Sequence, residues 1–267
     1  MVFGTGILTG HFWDVTAVFF IVIIHELGHA LSALWFGWRL TSIELLPFGG
    51  VAKVDEYGNR STFEEFVVTL AGPLQHLWLP LISFLLLATP YWNEANHNMF
   101  LLHNHMLLLF NLLPIWPLDG GKLLMLLLSK WVPFRSAYRQ TLILSFFILL
   151  LLSLYMIISK TFLLNFFVIA VFLGFSIIKE WKQQRYVFMR FLLECWKSSQ
   201  RGQLKERNLL VSPDMTLSEI LEGFYKNKHH RIVVKDKNTE KEIEEKVLLD
   251  AFFNKHSYHY TIGQLLY

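Results

Sequence analysis

His25 and His29 stand four residues apart in Ile24-His25-Glu26-Leu27-Gly28-His29-Ala30. On a helix that is about one turn, so both imidazoles leave the same face. Glu26 follows the first histidine, the place of the general base in the H-E-x-x-H pattern of zinc hydrolases. The flanks are largely apolar, Val15 to Ile23 before and Leu31 to Phe36 after. Ionisable side chains inside such a membrane-crossing stretch are costly and mark function by default. A pair of core histidines satisfied by carbonyls is the competing explanation, and the spacing and setting argue against it.

Two histidines leave zinc short of protein ligands, since catalytic sites commonly use three and a water. Asp119 is the best-placed third. It lies in Asn111-Leu112-Leu113-Pro114-Ile115-Trp116-Pro117-Leu118-Asp119-Gly120-Gly121, where two prolines and two glycines must break a helix. Broken backbone at membrane depth is tolerated only where protein or a water-filled cavity surrounds it. The chemistry expected is hydrolysis: zinc lowers the pKa of its water, Glu26 takes the proton, and hydroxide attacks a peptide carbonyl. Asn111 could hold extended substrate backbone, with Pro114 beside it, or could make a helix-packing hydrogen bond. Other polar residues have plainer readings. His76 reads as packing rather than outer support for the metal, and His103 and His105, two apart, point to different helix faces. His11 and His97 fall near the outer interface, and Glu64 and Glu65 suit a helix N-terminus.

The elements that must position these groups are membrane helices. Of the 267 residues, 54% are hydrophobic, and the mean hydropathy is +0.40, an excess that a soluble domain does not need. Spans are expected at about Phe12 to Trp38, Phe66 to Ala88 (with Ala71-Gly72-Pro73 inside), Met99 to Leu128 around the break, Thr141 to Ile158 and Thr161 to Ile178. The fold class is thus a mainly α membrane bundle of five to six spans. Alternation in Ser42 to Leu45 and Val51 to Val54 around Pro47-Phe48-Gly49-Gly50 adds a short re-entrant β-hairpin. Arg39, Lys53, Arg60, Lys130, Arg135, Arg139 and the run Lys179 to Arg190 fall on one side, which puts them and the C-terminus in the cytoplasm. His25, ~18 Å along its helix from Trp13, then lies in the inner half of the bilayer. The formal net charge of +3 favours no nucleic-acid partner, and the one cysteine, Cys195, permits neither an internal disulfide nor a thiolate cluster.

With His25-Glu26-Leu27-Gly28-His29 and Asn111 through Gly121 together, the chain resembles the site-2 protease family of intramembrane metalloproteases. Leu45 to Gly50, Ala71 to His76 and Asn111 to Lys122 look like segments of its sporulation members in endospore-forming bacteria. The resemblance covers essentially the whole chain. It implies zinc ligands His25, His29 and Asp119, with Glu26 as catalytic acid/base. It further implies a multi-pass protein of the cell membrane or the mother-cell membrane around the forespore. The implied substrate is a membrane-associated sigma-factor precursor, and inhibitory membrane proteins are the implied regulators. Met1 to Gly10 resembles only the tail of a further N-terminal span found in those members.

The expected division is a membrane domain over 1–178, a linker over 179–202 and a small α+β cytoplasmic domain over 203–267. In the last, Leu217 to Phe224 (helix), Arg231 to Val234 (strand), Lys246 to Phe253 and Thr261 to Leu266 resemble a single CBS domain. Such modules often bind adenine nucleotides, so ATP is a candidate second ligand, although Val247-Leu248-Leu249-Asp250 lacks the usual threonine of the nucleotide signature. A docking module for substrate or for a second copy of the chain is the alternative, and the basic run Lys179 to Arg190 suits anionic lipid headgroups. Two other functions compete. One is cleavage of another membrane-bound regulator, such as an anti-sigma factor. The other is a metal transporter, disfavoured by Glu26 and by a single ligand set.

Overall fold

The computed structural model describes residues 12–46, 49–55, 60–159, 164–198, 205–235, 240–254 and 260–266. The chain is mainly helical and divides into two units. The first gathers the described residues of Met1–Glu56, Phe63–Leu124 and Ser145–Ser176; the second those of Tyr57–Thr62, Met125–Leu144 and Ile177–Tyr267.

In the first unit, helix α1 (Phe12–Trp35) carries the histidine pair. It stops short of the expected Trp38 because Gly37 turns the backbone at φ +70°. Gly37 N donates to Leu34 O at 2.9 Å and Trp38 N to Ala33 O at 2.9 Å, the paired bonds of a Schellman cap, which favours glycine at the left-handed position. Trp38 then packs with Ala33 and Val68, the apolar contact that accompanies such caps. The strands β1 (Arg39–Leu46) and β2 (Gly49–Asp55) form the expected antiparallel hairpin, paired from Arg39 opposite Asp55 to Leu46 opposite Gly49 with a one-residue register shift between Leu40 and Ser42. The turn residues Pro47 and Phe48 lie outside the described residues, as does the stretch Met1 to Gly10.

Helix α2 (Thr62–Leu86) runs unbroken through Ala71-Gly72-Pro73 and includes Pro73 and Pro80. Helix α3 (Glu94–Asn111) starts at an Asn93 cap whose side chain accepts from Asn96 N at 2.8 Å, the usual remedy for an orphan first-turn donor. The break after α3 contains a cis Trp116-Pro117 bond, and α4 (Asp119–Leu128) begins at the aspartate itself. Ala17, Ile21, Leu79 and Phe100 form a buried cluster that holds α1, α2 and α3 together. One turn from each of the last three stands a buried polar residue, His25 after Ile21, His76 before Leu79 and Asn104 after Phe100. A polar layer therefore sits directly on an apolar one, as the period of about 3.6 residues requires.

Helices α5 (Phe134–Ile158) and α6 (Leu164–Ser198) complete the helical part. The first residues of the expected last span, 161–163, lie outside the described residues, and α6 continues as one helix through 179–198. Among the described residues, three helices are long and apolar enough to cross a membrane: Trp13–Trp35, Thr62–Leu86 and Phe134–Ile158. Exposed Leu, Phe and Ile side chains cover α5, among them Phe146, Phe147, Leu151 and Ile157, as expected of a surface solvated by lipid.

The second unit contains a small three-stranded sheet in the order β3-β4-β5, with β3 (Lys205–Val211), β4 (Lys228–Lys235) and β5 (Glu240–Glu244). β3 pairs in parallel with β4, and β4 antiparallel with β5. The parallel pair needs a crossover, supplied by α7 (Leu217–Glu222), which opens on a capping box between Thr216 and Glu219. Helices α8 (Glu245–Asn254) and α9 (Ile262–Leu266) follow. The core is Leu217, Ile220, Leu221, Phe224, Ile232, Leu248 and Leu249, each nearly inaccessible.

Candidate metal centre

Three side chains from two segments, His25 of the polar layer, His29 and Asp119, meet at one point. His25 Nε2 and His29 Nε2 lie 3.1 Å apart, and each is 3.1 Å from Asp119 Oδ2. The two imidazoles meet edge-on, their rings at 83°, so each directs one nitrogen to the shared point. His25 and Asp119 are buried, at 4% exposure each.

This triangle fits zinc. Tetrahedral ligands about 2.0–2.1 Å from a metal are separated from one another by ~3.3 Å, close to the distance on all three sides. The hydrogen bonding agrees. His29 Nδ1 donates to Val68 O at 2.8 Å, and a carbonyl only accepts, so in neutral His29 the lone pair is on Nε2. A lone pair and a carboxylate oxygen at such a separation repel unless a proton or a cation lies between them. The donor set of two imidazoles and one carboxylate is that of many catalytic zinc sites.

The remaining oxygen of the aspartate, Oδ1, receives Lys122 Nζ at 3.2 Å. Asp119 thus presents Oδ2 to the histidines while Oδ1 is engaged one turn along α4. Glu26 is buried on the same turn as His25.

Comparison with known proteins decides the family. The sequence profile of peptidase family M50 matches residues 14–95 and 92–154, more than half of the chain and all three of the converging side chains. The chain belongs to peptidase family M50. It is 38% identical over 263 residues to stage IV sporulation protein FB of Bacillus subtilis, an alignment that covers 98% of this chain and 91% of that protein. It is 29% identical over 226 residues to a zinc metalloprotease of Methanocaldococcus jannaschii, covering 82% of this chain and 63% of that one. The solved site-2 protease from Methanocaldococcus jannaschii superposes with a TM-score of 0.53 at 25% identity, over 67% of this chain and 83% of that one. The expectation of a membrane metalloprotease with a sporulation relative is met, and the zinc for which the Methanocaldococcus jannaschii metalloprotease is named suits the His-His-Asp group.

The remaining polar candidates fall as follows. Asn111 Nδ2 donates to Leu107 O in its own helix at 3.1 Å, and Pro114 sits half-buried in the break that precedes α4. His103 and His105 go separate ways, His103 Nε2 to Asp14 Oδ1 at 3.1 Å and His105 Nδ1 to Leu101 O at 2.7 Å. His76 departs from the packing reading: its Nε2 is 3.0 Å from His25 Nδ1. Asn104, which no spacing rule singles out, is 2.8 Å from His76 Nδ1. A buried asparagine between His103 and His105 in an apolar helix was the available signal.

Proposed function

We propose that this chain is an intramembrane zinc endopeptidase that cleaves a membrane-associated sigma-factor precursor during sporulation. His25, His29 and Asp119 hold the ion, and Glu26 is the acid/base. The observation that carries the proposal is the triangle with 3.1 Å on each side, closed by residues 94 and 90 positions apart in sequence. The zinc, when bound, supplies Lewis acidity that acidifies water and polarises a carbonyl. Glu26 accepts the water's proton and returns it to the departing amine, a task suited to a buried carboxylate next to a ligand. Val68 O holds the His29 ring in one tautomer, and Lys122 holds the carboxylate of Asp119. Asn111, at the end of α3, and Pro114, within the break, are the proposed contacts for an extended substrate strand.

The orientation proposed from the basic loops puts the C-terminus in the cytoplasm, with five to six spans in the cell membrane or the mother-cell membrane around the forespore. The domains proposed are 1–178, 179–202 and 203–267. The strand-helix-strand-strand-helix order of the last supports the CBS-like reading. ATP has less behind it, since Asp250 Oδ1 already accepts from Trp196 Nε1 at 3.2 Å and Asn254 Nδ2 at 3.1 Å. An ATP titration that leaves the module's melting temperature unchanged removes the nucleotide. Inhibitory membrane proteins, and self-association through this module, are the proposed regulation.

Co-expression of the chain with a sigma-factor precursor tests the function. The wild type is expected to shorten the precursor and Glu26→Gln to leave it intact. Cleavage of a membrane-bound anti-sigma factor instead would move the substrate, and metal flux retained in Glu26→Gln would favour a transporter.

A further inference from the structure

The second nitrogen of His25 faces not a carbonyl, as in His29, but another histidine. His25 Nδ1 is 3.0 Å from His76 Nε2. His76 Nδ1 is 2.8 Å from Asn104 Oδ1, and Asn104 Nδ2 donates to His76 O at 2.9 Å. Exposures of 4%, 2% and 0% for His25, His76 and Asn104 leave no room for water to substitute.

With neutral rings, these contacts place each proton. Because Asn104 gives its amide hydrogen to a carbonyl, its oxygen faces His76 and can only accept. His76 therefore donates through Nδ1 and, being neutral, accepts through Nε2. His25 must then donate through Nδ1, which leaves the lone pair on Nε2, the atom aimed at Asp119. The asparagine in α3 thus sets the tautomer of a ligand in α1 through a histidine in α2.

We infer that His76 is a positioning residue for the metal centre, oriented by Asn104, which fixes the tautomer and ring plane of His25. The inference rests on the proposed zinc site and deepens it. Partners of this kind orient ligands and raise their basicity, and losing one weakens metal binding by about 10–100-fold.

The test is zinc affinity of the purified full chain, measured by competition with a fluorescent chelator, together with the absorption spectrum of the cobalt-substituted protein. His76→Leu and Asn104→Leu remove the relay while keeping bulk. His76→Gln keeps an acceptor for His25 and a donor for Asn104. Zinc binding is expected to weaken by about 10–100-fold in the two leucine variants, with an altered cobalt spectrum, and to stay within about threefold of wild type in His76→Gln. Wild-type affinity in both leucine variants overturns the inference, and so does a glutamine variant as weak as His76→Leu. Should His76→Leu fail to fold, Asn104→Leu and His76→Gln decide by the same criteria. Failure of the wild type itself to bind zinc would overturn the proposed site instead, so the two failures are distinguishable.

Discussion

Gly72 of α2 lies directly against the His29 imidazole: a Cβ built on it would stand 2.2 Å from Nε2, 2.5 Å from Cε1 and 2.8 Å from Cδ2. No side chain of any size fits there without moving the His29 ring. Small residues let membrane helices approach closely, and here the approach sets the position of a nitrogen of the proposed zinc site.

Gly72→Ala is accordingly expected to lower zinc affinity by about 5–150-fold, the range that corresponds to the cost of about 1–3 kcal/mol typical of overpacking by extra methyl groups. Gly174→Ala is the control, since its Cβ would meet only Leu149 Cδ2, at 3.9 Å. Zinc content after dialysis against a weak chelator, measured for both variants, checks the pair.

Stripping the metal with a strong chelator is expected to abolish cleavage, and stoichiometric zinc to restore it. In Asp119→Ala, restoration should require at least about a hundredfold more zinc, beyond the 10–100-fold typical of losing an outer partner. Lys122→Met should shift the zinc requirement little, because Lys122 is half exposed and exposed ion pairs contribute about 0–1 kcal/mol. Zinc titration of chelated protein compares the three.

In the C-terminal module, Glu245 Oε2 accepts from the backbone N of His230 at 2.6 Å and lies 3.1 Å from its Nδ1. His230 is fully buried and Glu245 nearly so. Glu245→Ala strands two buried donors and should destabilise the module by about 1–3 kcal/mol. Thr216→Ala, which removes one cap, should cost about 1 kcal/mol. Hydrogen exchange of β4 amides in the full chain reads both.

Cys195 tests burial through pH. Burial pushes its thiol well above the ordinary value, and the nearby Glu245 and Glu194 carboxylates act in the same direction. In the folded chain the thiol stays protonated where an unfolded thiol, with a pKa of about 8.5, ionises. The unfolded state therefore binds fewer protons above that pH, and this group lowers stability as pH rises past it. Cys195 should resist alkylation at pH 8 in the folded protein and react quickly in denaturant, as mass spectrometry would show.

The convergence of His25, His29 and Asp119 was legible in the sequence because its signals are local or chemically unusual: a one-turn histidine pair and an aspartate in a proline- and glycine-broken apolar stretch. The hairpin was legible through alternation. The relay behind His25 was not, since His76 and Asn104 meet it only after three helices pack, and each alone reads as a core polar residue. In the small domain, β3 and β5 were missed because Lys205–Val211 and Glu240–Glu244 are charged strands without a clean period. The early end of α1 was written in Gly37, but its effect depends on a positive φ that apolar periodicity does not register.

X-ray absorption of the zinc-loaded full chain tests the centre most directly. The prediction is one zinc with two imidazole nitrogens and at least one oxygen at about 2.0–2.1 Å, and loss of that spectrum in Asp119→Ala. A zinc spectrum of different ligation, or one unchanged by Asp119→Ala, would contradict the account.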